Sequence, residues 1–360
     1  MTDMNAASPI SKTSALRYLS CLRPQDILVL QGPPLLGAAF AIGRPAMHDV
    51  GPLAILMIAN VLLVTHIFML NDWSGLTSDF ADPNKAARVF TARGVRRRDI
   101  GVLMAGFLVA SLILFSRVSL FAFGLAVAIA ALSALYSLPR FNWKGRPLLN
   151  SLTHFTGGIL HFLLGYSLGD AIDGRGLATA TFFALIFSAG HLTQEVRDHE
   201  GDTMNAIRTN AVAFGQRRTF AASLVLFTLA QLLLLLLSVQ GILPRPLAAL
   251  VLLFPLQLHW SLQTLREGLT YTNVSRLQTR YRVLYAVIGL AMVAALCVAP
   301  IAVRKVTALP HPGVDRVSVH ADERACFPFD MRCKSLPRLE LRRTDAERGP
   351  DLRCVIPCTF

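Results

Sequence analysis

Apolar residues run through this chain in long unbroken stretches separated by short polar loops. Nine segments, at about 27–43, 50–70, 100–116, 118–136, 149–169, 176–194, 220–238, 241–260 and 283–303, have this character. Each approaches the ~20 residues that a helix needs to cross ~30 Å of hydrocarbon. The pattern predicts an all-α polytopic membrane bundle of nine transmembrane helices. A polar segment, 1–26, precedes the bundle at 27–303, and a tail of different composition, 304–360, follows it. The first apolar run follows a polar stretch of 26 residues and has no small-residue cleavage site, so a cleaved signal peptide is not expected.

Composition agrees with the pattern. The chain is 53% hydrophobic and 16% charged, against roughly 25% charged residues in soluble domains. Its net charge of +13 would suit nucleic acid, but the distribution of the charge argues otherwise. With the N-terminus cytoplasmic, twenty Lys and Arg fall in loops on that side, and only Arg44, Arg117, Arg175 and Arg245 on the other. Lys and Arg favour the cytoplasmic side of short loops. The excess therefore sets orientation and points to membrane lipids, not nucleic acid, as the surroundings. A multi-pass protein of a bacterial inner membrane, with its chemistry facing the cytoplasm, is the expectation. The tail carries Cys326, Cys333, Cys354 and Cys358. Their spacing matches no zinc pattern, and the stretch lacks the apolar periodicity of a folded domain.

Acidic residues concentrate where two apolar runs end on the cytoplasmic side. The first place is NDWSGLTSDFADPNK, 71–85, and the second is QEVRDHEGDTMNAIRT, 194–209. In the second, Glu195, Asp198 and Asp202 have spacings that put three carboxylates on one helical face. Like charges so placed repel unless a cation lies among them, and reduced hydration sharpens the repulsion. Hard divalent cations take oxygen ligands, and Mg²⁺ commonly combines a few carboxylates with substrate phosphates. An offset of 123 residues superimposes the two places: Asn71 on Gln194, Asp72 on Glu195, Gly75 on Asp198, Asp79 on Asp202. This reads as an internal repeat, two acidic helix ends facing a central cavity.

Paired metal sites beside cationic loops suit a diphosphate, whose oxygens Mg²⁺ would neutralise as it leaves. Lys85, Arg88, Tyr136, Arg140, Lys144 and Arg208 are the candidate diphosphate contacts. A diphosphate at the mouth of an apolar bundle implies a lipid on its other end. Of the histidines, His154 and His161 read as polar cavity or packing residues, and His191 stands one turn before Glu195. Phe68, Trp73, Phe155 and Tyr166 offer π-faces that could shield a carbocation.

These residues resemble the UbiA-type intramembrane prenyltransferases, over about 20–305. Their first motif, NDxxDxxxD, is matched at Asn71, Asp72 and Asp79 but not at Gly75. Their second, DxxDxxxD, is matched at Asp198 and Asp202, with Glu195 as a variant. Arg208-Thr209 with Val212 and Gly215, Tyr136 to Arg140, and Arg146-Pro147 are also similar. The resemblance implies Mg²⁺-dependent transfer of a prenyl group from a prenyl diphosphate to a small, aromatic acceptor. It implies Asn71, Asp72, Asp79, Glu195, Asp198 and Asp202 as metal ligands, with Asp72, Asp198 and Asp202 central to catalysis. It leaves open cyclisation of the prenyl chain, transfer from a lipid phosphate-sugar, and a non-catalytic ion-binding or transport role. Asp82, three residues after Asp79, is a further candidate to replace the carboxylate missing at Gly75.

Overall fold

A computed structural model describes residues 14–43, 46–169 and 171–298. The tail expectations for 304–360, disorder and four cysteines included, lie outside the described residues. The described chain contains helices and turns, and no strand.

The first crossing is a broken helix. After a short α1 (Ser14–Leu19), α2 (Pro24–Val29) and α3 (Gly32–Ile42) are separated at Leu30 and Gln31. Proline is tolerated in a first helical turn because its missing N–H needs no partner there, and Pro24 and the Pro33-Pro34 pair start the two halves. The break is braced from α4 (Met47–Ser74). Asn60 donates to Leu30 O at 3.3 Å and to Gln31 Oε1 at 2.8 Å. His161 holds the other end of that carboxamide, 2.8 Å from Asn60 Oδ1.

Past a short α5 (Leu76–Ala81), α6 (Arg97–Val118) and α7 (Leu120–Ser137) form a hairpin, followed by α8 (Leu149–Tyr166) and α9 (Gly174–Met204). The short α10 (Asn210–Phe214) leads into α11 (Gln216–Val239). The next crossing begins as a 3₁₀ stretch, Arg245–Leu253, and continues as α12 (Phe254–Glu267). The last described element is α13 (Tyr271–Val298). At its centre α9 packs on α8, α11 and α13. The core joins Leu56, Phe115, Phe162, Phe182 and Leu234. Val102, Leu120, Val225 and Leu252 are exposed, as lipid-facing residues are.

Eight helices among the described residues are long and apolar enough to cross a membrane, not the nine expected. The difference is α8, whose Asn150, Ser151, Thr153, His154 and His161 lower its hydropathy. It is an interior helix, and glycines let it approach α3 closely. A Cβ at Gly165 would lie 1.7 Å from Pro34 O, and one at Gly37 would lie 2.1 Å from Phe162 O.

Candidate active site

Two adjoining spaces open at the end of the bundle that carries the basic loops. The larger is a cavity of about 1310 Å³ between α2, α3, α4, α9 and α13. Aromatic side chains including Phe68, Phe183, Phe187, Phe227, Tyr281 and Tyr285 line it, and Arg23, Asp72, Asp79, Lys85 and Arg88 stand along it. The smaller, about 70 Å³, is polar. Asn71 and Asp79 enter it from the first motif, and Glu195, Asp198 and Asp202 from the second. Lys85, Tyr136, Lys144, Arg23 and Thr209 share it. The two motifs thus meet in one pocket, although 123 residues separate them in sequence.

The second motif sits on unbroken helix, so Glu195, Asp198 and Asp202 do share a face, and all three are buried. Asp198 receives the Arg197 guanidinium edge-on, at 2.6 and 3.0 Å, and the Lys85 ammonium at 3.1 Å. Glu195 accepts from Asn150 and lies 3.0–3.2 Å from Asn210 Nδ2. His191 Nε2 is 3.0 Å from Glu195 Oε1, but off the line a hydrogen bond requires. Its ring stacks on His154, with centroids 3.5 Å apart, and Tyr136 meets both rings edge-on.

The first motif is built differently. The helix α4 ends at Ser74, Gly75 joins it to α5, and the one-face argument does not carry across the joint. Asp72 turns to the larger cavity, where Arg23 binds it. Gly75 has φ −87°, a conformation open to any residue, so its backbone does not demand glycine. A Cβ there would stand 3.0 Å from Asn71 O and 3.5 Å from Asp79 Oδ2. A carboxylate at this position would therefore neighbour Asp79.

Asp82 is buried and lines neither of the two spaces. It accepts from the Asn84 backbone at 2.9 Å, pairs with Lys85 at 3.5 Å and packs against Gly201 of α9. Lys85 thus bridges the loop after motif one to Asp198 of motif two. Burial works against its ammonium, yet Asp198, Asp79 and Asp202 outweigh burial and raise its pKa above the ordinary lysine value.

Other expected residues divide. Lys144 and Tyr136 line the polar pocket and Arg88 the larger cavity. Arg140 and Arg208 are exposed and line neither space. Phe68 is in the cavity wall with Arg23 above its ring, whereas Trp73 carries Arg97 4.3 Å above its own. Tyr166 is tied to Asp173 at 2.8 Å. Sequence reasoning missed Arg23, Asn150 and Asn210, each brought to the acids by folding from a different element.

The donor set suits Mg²⁺, since every candidate ligand offers oxygen. Among the described residues no group of three or more His, Cys, Asp or Glu is gathered closely enough to cage an ion. Cationic side chains stand between the carboxylates instead. Thr209 Oγ1, buried in the same pocket, has no hydrogen-bond partner. Spaced carboxylates and unused donors fit a metal shared with a phosphorylated substrate better than a protein-only cage.

The family model described as the UbiA prenyltransferase family matches residues 32–275. The chain is similar to a lycopene elongase/hydratase of Haloferax volcanii, 33% identical over 232 residues, which are 60% of this chain and 72% of that protein. Its fold is similar to a UbiA homologue from Archaeoglobus fulgidus bound to DMAPP and Mg²⁺, with a TM-score of 0.63 at 17% identity over 79% of this chain and 100% of that one. A digeranylgeranylglyceryl phosphate synthase structure aligns with a TM-score of 0.60 at 17% identity, covering 79% of this chain and 98% of that one. The two acidic motifs thus stand in a fold and a sequence of one kind, and the chain is a multi-pass integral membrane enzyme belonging to the UbiA prenyltransferase family.

Proposed function

We propose that this enzyme transfers a prenyl group from a short allylic diphosphate to a carbon–carbon double bond of a long apolar isoprenoid. The observation that carries the reading is a polar pocket holding both acidic motifs, set at the mouth of an apolar cavity of about 1310 Å³. That volume exceeds the ~300–1,000 Å³ of ordinary small-ligand pockets. It leaves room for an extended chain beside a five-carbon donor. The sequence led to an aromatic acceptor. Similarity to a lycopene elongase/hydratase and the apolar cavity favour an isoprenoid hydrocarbon in its place.

Asn71, Asp72, Asp79, Glu195, Asp198 and Asp202 are the residues that would hold Mg²⁺ on the diphosphate. Of these, Asn71, Asp79, Glu195, Asp198 and Asp202 line the polar pocket, and Asp72 borders the larger cavity. Bound there, Mg²⁺ supplies positive charge against the oxygens of the leaving group. Lys85 and Lys144 neutralise the same oxygens, and the Thr209 hydroxyl donates to them. Arg23 and Asp72 hold each other at the boundary between the two spaces, so each orients the other toward the diphosphate end of the donor. The Phe183, Phe187, Phe227, Tyr281 and Tyr285 rings line the space and present π-faces to the allylic cation.

The test uses the full chain in detergent with dimethylallyl diphosphate, lycopene and Mg²⁺. Diphosphate release coupled to an acceptor heavier by one prenyl unit is expected. A cyclic hydrocarbon from geranylgeranyl diphosphate supplied without acceptor would mean cyclisation, and transfer only to phenols supplied in place of lycopene would restore the aromatic acceptor.

A further inference from the structure

Behind the cavity wall lies a second polar cluster, separate from the diphosphate pocket. On α11, Phe227 stacks with Tyr285 of α13 at 5.6 Å and meets Tyr281 edge-on at 5.0 Å. The tyrosine rings line the cavity, but their hydroxyls reach past it to α12. Tyr285 donates to Gln257 Oε1 at 3.2 Å, and the Tyr281 hydroxyl bonds to Ser261. One turn beyond Phe227, the Gln231 side chain lies beside the Tyr285 hydroxyl.

Gln231 is 2% exposed and Gln257 0%. Neither end of the Gln231 carboxamide has a hydrogen-bond partner, and nor does Gln257 Nε2. Unpartnered amide atoms are strongly unfavourable in an apolar interior, and hydrocarbon around the bundle offers nothing to bond. Buried waters typically join about two to four such groups. The amides of Gln231 and Gln257 and the Tyr285 hydroxyl provide that number, with both donors and acceptors among them.

We propose that Gln231, Gln257 and Tyr285 form a water site that supplies the nucleophile to a carbocation in the adjoining cavity. Of the three, Tyr285 borders the cavity, and the two amides lie behind it. Gln278, which accepts from Arg197 beside Asp198, marks the diphosphate level on α13. Tyr285 lies seven residues deeper, about 10 Å along a helix rising 1.5 Å per residue.

The inference rests on the proposed transfer to an isoprenoid double bond. The allylic C–O bond breaks and diphosphate leaves with the electron pair. The π electrons of the acceptor form the new C–C bond, leaving a tertiary carbocation on the acceptor. The water oxygen bonds to that carbon, and its surplus proton passes to the released diphosphate. The product is a prenylated tertiary alcohol. Without the water, the carbocation loses a proton from a neighbouring carbon and an alkene results.

The experiment incubates the full chain with dimethylallyl diphosphate, Mg²⁺ and lycopene in heavy-oxygen water and resolves products by mass. The wild type should give a prenylated alcohol carrying the heavy oxygen. In Gln231→Leu and Tyr285→Phe, the ratio of alcohol to alkene should fall about tenfold, the effect of one good hydrogen bond. Gln231→Met, closer in length, serves if the leucine variant does not accumulate. An unchanged ratio overturns the water site. So does a parallel fall of both products with a lowered melting temperature, which would mark the cluster as helix-to-helix glue. Wild-type product that is prenylated but wholly alkene defeats this inference alone, whereas no prenylated product at all defeats the reading beneath it.

Discussion

The two acidic motifs share a spacing, and all of their acids except Asp72 line one polar pocket, but their backbones differ. In the second, Glu195, Asp198 and Asp202 ride one face of the unbroken α9. In the first, the helix stops at Ser74 and restarts at Leu76, so Asp72 and Asp79 belong to separate helices; both border the larger cavity, and of the two Asp79 also reaches the polar pocket. Equal spacing in sequence therefore does not mean equal presentation. The intact motif concentrates charge and needs Arg197 and Lys85 to hold Asp198. The broken motif spreads its charge and carries no carboxylate at position 75, beside Asp79.

The sharpest way to test that asymmetry is to neutralise one acid in each motif. Asp198→Asn should lower Mg²⁺-dependent diphosphate release by about a hundredfold or more, the scale of losing a central electrostatic contact. It also frees Arg197 and Lys85 from their partner. Asp72→Asn should lower it less, because Asp72 faces the larger cavity and is bound by Arg23. Equal losses in steady-state rates would show that the break at Gly75 has no functional weight.

Lys85 joins the motifs, and its removal tests whether they act together. Lys85→Met should reduce diphosphate release by about tenfold, measured as kcat/KM. A pH scan of thermal stability gives a second readout. The folded pKa of Lys85 is raised, so its contribution is fully present below the unfolded lysine value near ~10.4 and is lost as pH rises through the folded value. The wild type should therefore lose stability relative to Lys85→Met only in that alkaline window, with no difference in slope near neutrality.

Those expectations depend on features that the sequence carried unevenly. Long apolar runs located the spanning helices, because the length a membrane demands leaves few alternatives. The exception was α8, where buried polar residues serve the interior and hydropathy falls. The acids of both motifs were legible from their place at helix ends. Their partners were not. Arg23 lies 49 residues from Asp72, and Asn150 and Asn210 reach Glu195 from other elements. Nor does composition separate Lys144, in the pocket, from Arg140, which is exposed. Both satisfy the same preference for positive loops on one side, and only the turn between α7 and α8 sorts them.

Gly75→Asp would bring the first motif closer to the second in charge while leaving the joint in place. Its Cβ has a tight neighbour in Asn71 O and an ordinary contact with Asp79 Oδ2. Without metal the new carboxylate repels Asp79, so the melting temperature should fall by a few degrees, about the effect of ~1 kcal/mol. With Mg²⁺ the repulsion becomes attraction to the shared ion, and half-saturating Mg²⁺ should drop about threefold to tenfold. A titration of diphosphate release against Mg²⁺ reads the shift. No change would mean that the broken helix holds position 75 away from the ion.

Asp82 supplies the smallest effect and the finest discrimination. The sequence offers it as a partial substitute for the carboxylate absent at Gly75. In the structure it is a joint: one oxygen accepts from the Asn84 backbone, another faces Lys85, and its carboxyl group fills the place that a side chain at Gly201 would take. Asp82→Asn keeps the shape and can still accept from Asn84, but loses the charge facing Lys85. Stability should therefore fall by about 1 kcal/mol, the scale of one charge-assisted contact in a partly buried setting. Half-saturating Mg²⁺ should stay at its wild-type value, because Asp82 holds the two motifs together through Lys85 and Gly201 and not through the ion. A marked rise in the Mg²⁺ requirement would return Asp82 to the ligand set and make the first motif a three-acid site displaced by one helical turn.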